Sequence, residues 1–184
     1  MDCLAGSVPT RTETAAPESD RELSVFSRIM TLVQDSGAAF VLHAHAPTRT
    51  MAEAEGNLDF DLTRIVKTVA FAARDGRLVL AALPGPRRVD YPRLAGRLGL
   101  NRRDLAPLSP EAVLSRLGVP PGSVSPLLPL PERTELVIDA DVLAIAPTLY
   151  CGTGRPDRTL ELAPDDLVRL SGGRVASFSR PAGG

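Results

Sequence analysis

Lys67 is the only lysine among the 21 lysine and arginine residues of this 184-residue chain. It sits in Arg64-Ile65-Val66-Lys67-Thr68-Val69-Ala70-Phe71-Ala72-Ala73, where apolar and β-branched neighbours read as a buried strand. A charge in such surroundings is costly unless it is paired or its pKa moves, by roughly 2–5 at functional sites. Lys67 is therefore a candidate site residue; the plainer alternative is a buried stem with its head in water. A second candidate is the loop Gly122-Ser123-Val124-Ser125-Pro126. Its glycine allows close backbone approach, and Pro126 holds Ser125 extended. Such a loop can present N–H groups to a carbonyl or phosphate oxygen, or it can be a rigid connector. The third is the segment from Arg87 to Arg103, with Arg87, Arg88, Arg93, Arg97, Arg102 and Arg103 against Asp90 alone, a local net of +5. Arginines in this number suit a phosphate backbone or form a solvated helix face, and no interleaved aromatics are present to stack on bases.

Other chemistries are set aside by what is missing. There is no phosphate-binding P-loop, no dinucleotide glycine fingerprint and no nucleophile elbow. Cys3 and Cys151 lie far apart, and with only His43 and His45 they neither frame disulfides nor complete a zinc site, so no metal or cofactor is expected. Both histidines fall in an apolar strand and its exit, where a structural histidine is the expectation. Thr50-Met51-Ala52-Glu53 matches a capping box, which assigns Glu53 to a helix start.

The elements that must position these residues follow from periodicity. Residues 1–20 are rich in Ala, Thr, Ser, Pro and acids, carry a net of −3 and read as a disordered tail, leaving +2 on the domain of residues 21–180. Leu23, Phe26, Met30 and Val33 recur at helical spacing, with Gly37 placed to end the helix. A strand is expected over Ala39–Ala44, then a hairpin of Ile65–Arg74 and Arg77–Leu83 about Asp75-Gly76. Helices are expected over Tyr91–Leu98, from Ser109 to Gly118, and from Pro164 to Leu170 ending at Gly172-Gly173. Further strands are expected at Leu136–Ile138 with a cap at Asp139, near Leu143–Tyr150, at Thr159–Leu162 and at Arg174–Phe178. The interleaving predicts a mixed α/β domain, not a regular βαβ repeat. Hydrophobic content of 43% can fill its core, with Leu, Val, Ile and Ala because aromatics are only 4%. The net charge of −1 gives no global attraction to nucleic acid. No apolar run approaches the roughly 18 residues of a membrane span, so a cytosolic protein is expected.

In order, these pieces resemble the YbaK/EbsC family of aminoacyl-tRNA deacylases, which includes free-standing relatives of the editing domain of bacterial prolyl-tRNA synthetase. The matching pieces are His45-Ala46-Pro47, Val66-Lys67-Thr68, Val89-Asp90-Tyr91, Gly118 to Pro126, Leu136-Val137-Ile138-Asp139 and Gly154-Arg155-Pro156-Asp157-Arg158-Thr159-Leu160, over residues 22–180. The last is similar to the branch that clears alanine from alanyl-tRNA(Pro). Members often carry His or Asn where Gly152 aligns and an aromatic after the loop proline, where this chain has Leu127-Leu128.

The resemblance implies a YbaK-like single domain, a mixed sheet or partial barrel flanked by helices, and hydrolysis of mischarged aminoacyl-tRNA without membrane or DNA partners, with a synthetase as a further partner. It implies Lys67, Gly122 and Ser123 as catalytic residues. Thr50, Ser125, Pro126, Asp139, Gly152 and Gly154 would bind substrate, and Arg87, Arg88 and Arg97 would contact tRNA. A non-catalytic binder of aminoacyl-tRNA or nucleotide on the same fold is the alternative, kept open by the missing polar residue at Gly152.

Overall fold

The computed structural model describes residues 20–48, 50, 53 and 61–182. Of the expected tail, only Asp20 is described, and it opens helix α1 (Asp20–Asp35). The side of α1 that faces the core is set by Ile29 and Val33, both fully buried, with Val25 packed beside them and Phe26 and Met30 half-buried. Strand β1 (Phe40–Ala44) follows after Gly37, whose φ of 71° is the left-handed turn that the sequence placed there.

Strands β2 (Ile65–Ala73) and β3 (Leu78–Pro84) form the expected hairpin, in register from Val66 opposite Pro84 to Ala72 opposite Leu78. After β3 come β4 (Arg87–Val89), α2 (Tyr91–Arg97) and β5 (Leu105–Pro107). Helix α3 (Pro110–Leu117) has Ser109 accepting from the Ala112 amide and Gly118 at φ 70° closing it. The remainder is β6 (Thr134–Asp139), β7 (Leu149–Gly152), β8 (Arg158–Leu162), α4 (Pro164–Ser171), β9 (Arg174–Ala176) and β10 (Ser179–Pro181). The strand expected near Leu143–Tyr150 begins later, at Leu149, because Ala140–Ala144 winds into a 3-10 turn and Pro147 separates it from β7.

The main sheet runs β1-β8-β7-β2-β3-β6-β9 as an open path, with β5 added to β2; β4 and β10 make a separate two-stranded ribbon. Pairs β2·β7, β3·β6 and β6·β9 are parallel and the others antiparallel, so the domain is mixed α/β as expected. All seven residues of β3 are buried because cores lie on both faces. Leu78, Leu80 and Ala82 join Val66, Ile138, Leu149 and Leu160 on one side, while Val79, Ala81 and Leu83 join Phe71, Leu94, Val137 and Phe178 on the other. Each Leu or Val so placed contributes about 1.5–3 kcal/mol, which fixes β2 between its neighbours. Among the described residues no helix is long and apolar enough to cross a membrane.

Candidate active site

Strand β7 lies beside the start of β2, with Tyr150 opposite Ile65 and Cys151 opposite Val66. Side chains alternate along a strand, so Ile65, Lys67 and Tyr150 share one sheet face while Val66 and Cys151 enter the core. A cleft of about 140 Å³ opens here, bounded by the starts of β2 and β8, by β7, by Gly122–Val124 and by His45, Thr48 and Thr50.

The cleft has a backbone wall. A Cβ on Gly152 would stand 3.3 Å from the Val124 carbonyl oxygen and 3.6 Å from that of Ser123, so the loop is seated directly on β7. A longer side chain at position 152 would press on that loop, which gives a physical setting for the polar residue that this chain lacks. Ser123 is 2% exposed, and its hydroxyl has no hydrogen-bond partner among the described residues. Its amide is committed to the Pro120 carbonyl at 3.0 Å, and the hydroxyl oxygen is itself buried, so neither is open to the cleft in this structure. Gly122 adopts φ 84°, a conformation suited to glycine.

The other walls are held by polar struts. His45 bonds through Nε2 to Thr159 Oγ1 at 2.9 Å, and the His45 and Thr48 amides donate to the Asp157 and Pro156 carbonyls. Arg155 grips Asp157 with two guanidinium nitrogens at 2.9 and 3.1 Å, and Arg158 reaches the same carboxylate at 2.7 Å. The Arg155 hydrogen bond, with both positive charges, holds the Asp157 carboxyl below the usual carboxylate range. Behind the cleft Arg64 lies 4.6 Å over the Tyr150 ring and bonds Glu161, which also takes His43 at 2.8 Å. Bonds from Thr148 first, then His43 and Arg64, lower the Glu161 pKa. Burial pushes the Cys151 thiol up to about 12, so the thiolate that nucleophilic attack needs is suppressed.

Of the residues expected to form the site, Gly122, Ser123, Thr50 and Gly152 line the cleft. The Glu53 amide donates to Thr50 Oγ1 at 3.1 Å, one half of the expected capping box, while Met51 and Ala52 lie outside the described residues. Lys67 stands on the same sheet face but is not in the lining; its ammonium donates to the Gly85 carbonyl at 2.7 Å. Burial, and then the charge of Arg88, pull its pKa below the ordinary lysine value.

Four of the expected substrate contacts stand outside the cleft lining and make structural contacts. Ser125 is fully buried, and its hydroxyl accepts from the Leu127 amide at 3.1 Å; Pro126 is buried beside it. Asp139, 1% exposed, caps Asp141 and accepts from the Phe178 and Ser179 amides at 2.8 and 2.7 Å. Gly154 has φ 85°, and a Cβ there would meet Val25 of α1 at 2.9 Å. The three arginines divide likewise. Arg87 bonds Ser179 Oγ at 2.6 Å and Asp141 at 3.0 Å, Arg97 bonds the Ser177 carbonyl at 3.3 Å, and Arg88 is exposed. His45, Thr48, Tyr150, Arg155, Arg158 and Thr159 line the cleft without having been proposed for it. The Gly154–Leu160 segment that carries much of the resemblance was the signal for the last three.

Residues 45–170 match the aminoacyl-tRNA editing domain family, and the chain belongs to that family. It is 36% identical over 84 residues to a proline–tRNA ligase of Thermosipho melanesiensis, covering 45% of this chain and 14% of that enzyme. To the proline–tRNA ligase of Leptospira biflexa serovar Patoc it is 33% identical over 97 residues, covering 52% of this chain and 16% of that one. The match therefore spans about one-seventh of those enzymes. Among solved structures, a hypothetical protein superposes with a TM-score of 0.74 at 28% identity, over 83% of this chain and 99% of that one. A protein put forward as a trans-editing enzyme for prolyl-tRNA synthetase superposes with a TM-score of 0.71 at 24% identity, over 88% and 98% of the two chains, a likeness of fold.

Proposed function

We propose that the protein is an aminoacyl-tRNA deacylase that acts in trans, hydrolysing the ester between a small amino acid, alanine on tRNA(Pro) being the first candidate, and the terminal ribose. The observation that carries this reading is the cleft at Gly152, walled by the backbone of the Gly122–Val124 loop, with Lys67 on the same sheet face. Water adds to the ester carbonyl, the bond to the ribose oxygen breaks, and that oxygen takes the proton as the amino acid leaves. Lys67 supplies positive charge to the terminal adenosine phosphate or the ester region. The Gly122–Ser123 loop orients the carbonyl or the water, and the terminal ribose hydroxyl helps to place that water. Thr50 borders the amino acid. With the cleft thiol held protonated by burial, positioning and fixed dipoles do the work without a protein nucleophile. A synthetase pocket separates similar small side chains by only about 1–3 kcal/mol, so a second sieve is needed, and the cleft at Gly152 is the candidate for it. Work on newly charged tRNA implies the cytoplasm and a synthetase, of which prolyl-tRNA synthetase is the first to test.

The test is a panel of mischarged tRNAs, alanyl-tRNA(Pro) included, presented to the wild-type protein and to Lys67→Ala. The variant is expected to lose about 10²–10³ in kcat/KM, the worth of a preorganised electrostatic group. No hydrolysis of any member sinks the assignment and favours a non-catalytic binder, and equal rates for the variant remove Lys67 from the reaction.

A further inference from the structure

The polar struts of the cleft converge on one carboxylate. Beyond the last β7–β8 pair, Gly152 opposite Thr159, the chain turns through residues 153–158. Thr153 closes this turn, its hydroxyl donating to the Arg158 carbonyl at 3.0 Å. Inside the turn the Asp157 carboxylate meets Arg155, two residues before it, and Arg158, directly after it. Arg158 Nη1 also donates to the Asp157 carbonyl at 2.8 Å. The side chains of Arg155 and Asp157 are 14% and 22% exposed, so solvent screens their pairing only in part.

This turn holds the segment that runs from His45 to Thr50. The His45 amide donates to the Asp157 carbonyl at 3.2 Å, and the Thr48 amide to the Pro156 carbonyl at 2.7 Å. The His45 ring adds its bond to Thr159 Oγ1. The described residues of the segment belong to neither apolar core, and Ala46, Pro47 and Thr50 are exposed. Hydrogen bonds, not apolar burial, therefore place it. Two of those bonds end on carbonyls whose direction depends on how the turn is folded, and the Asp157 carboxylate ties that turn together. His45, Thr48 and Thr50 all line the cleft, so a change in the turn is passed to a cleft wall.

We propose that Asp157 is a positioning residue for the reaction in the cleft. Through Arg155 and Arg158 it fixes the carbonyls of residues 156 and 157, and through these the His45–Thr50 wall that borders the reacting ester. The ester rests on the deacylase reading, but the first measurement needs no substrate. Hydrogen–deuterium exchange of the His45 and Thr48 amides is compared in the wild type, in Asp157→Asn and in Arg158→Gln, with folding checked by circular dichroism. Asp157→Asn keeps the shape of the side chain and removes its charge. Arg158→Gln removes one partner and carries the same comparison if the first variant does not fold. Loss of charge-assisted bonds is expected to speed exchange of both amides by about 10–100-fold in Asp157→Asn, and by less in Arg158→Gln. The second measurement is steady-state hydrolysis of the active mischarged tRNA. A misplacement of about 1 Å costs on the order of 10²-fold in rate, so kcat of Asp157→Asn is expected to fall by about that factor. KM is expected to stay near wild type, because the strand outside the cleft keeps its contacts. Unchanged exchange in a folded Asp157→Asn overturns the proposal, as does faster exchange with kcat unchanged or with only KM raised. A wild type that hydrolyses no mischarged tRNA, while exchange responds as expected, refutes the deacylase reading and leaves the hold of Asp157 on the wall standing.

Discussion

Replacing Asp139 separates structure from chemistry at a residue that the sequence resemblance assigns to substrate. Its Oδ2 accepts the Phe178 and Ser179 amides at 2.8 and 2.7 Å, and its Oδ1 accepts the Asp141 amide at 3.1 Å. Phe178 is fully buried and Ser179 is 4% exposed, so these amides lie away from bulk water and depend on the carboxylate. Asp139→Ala leaves two buried donors without an acceptor, at about 1–3 kcal/mol each, a loss of about 2–6 kcal/mol in all. Asp139→Asn keeps one oxygen but turns an NH2 toward one set of amides, so about half that loss is expected. For a chain of this size each kcal/mol moves Tm by about 2–4 °C, which places Asp139→Asn roughly 2–12 °C below wild type and Asp139→Ala further still. The assay is thermal and urea unfolding, with hydrolysis of the active mischarged tRNA measured well below each Tm. A folded Asp139→Asn that melts with wild type but has lost hydrolysis would refute the structural assignment and return Asp139 to the reaction.

Gly154→Ala is expected to melt lower by an amount equivalent to about 2–4 kcal/mol: the positive φ costs about 1–2, and overpacking against Val25 costs about as much again. Its KM below Tm should match wild type, and a raised KM without a stability loss would place Gly154 in the binding site. The depressed Glu161 pKa means that its cluster with Arg64, Thr148 and His43 stabilises the fold above the unfolded glutamate value of about 4.3 and loses that contribution as pH falls through the lower folded value. The Tm gap between wild type and Glu161→Gln should therefore close as pH is taken from 6 to 3, and a constant gap would show that the carboxylate charge is not what holds the cluster.

What was legible in the sequence was local. Asp75-Gly76 between two apolar runs declares the β2–β3 hairpin, and Ser109-Pro110 with Gly118 declares both ends of α3. Half of Asp139 was legible for the same reason, since its bond to the Asp141 amide lies two residues away. The other half reaches 39 and 40 residues along the chain, and no spacing records it. The ribbon was invisible because its strands have three residues each, too short for a period, and Arg87 meets Ser179 across 92 residues. Gly154 entered through the resemblance alone, and its contact with Val25 of α1 lies far along the chain, where no spacing records it.

The cations around the cleft fall into two kinds, and the difference lies in their acceptors. Arg64 is answered by Glu161, and Arg155 and Arg158 by Asp157, so each acts as a brace whose charge is largely met within the protein. Lys67 is answered by a neutral carbonyl, the least compensation that still satisfies one of its three donors. Desolvation and Arg88 both work against its charge, so a lysine kept there for stability alone would be a poor choice against an apolar residue fitting the same wall. On the proposed reading, a polyanion at the cleft would reverse that balance. It would supply a counter-charge to Lys67 and relieve the repulsion with Arg88 in the same step. A position costly in the free protein and favourable in the complex would let binding energy be directed at the ester rather than used only to hold the strand.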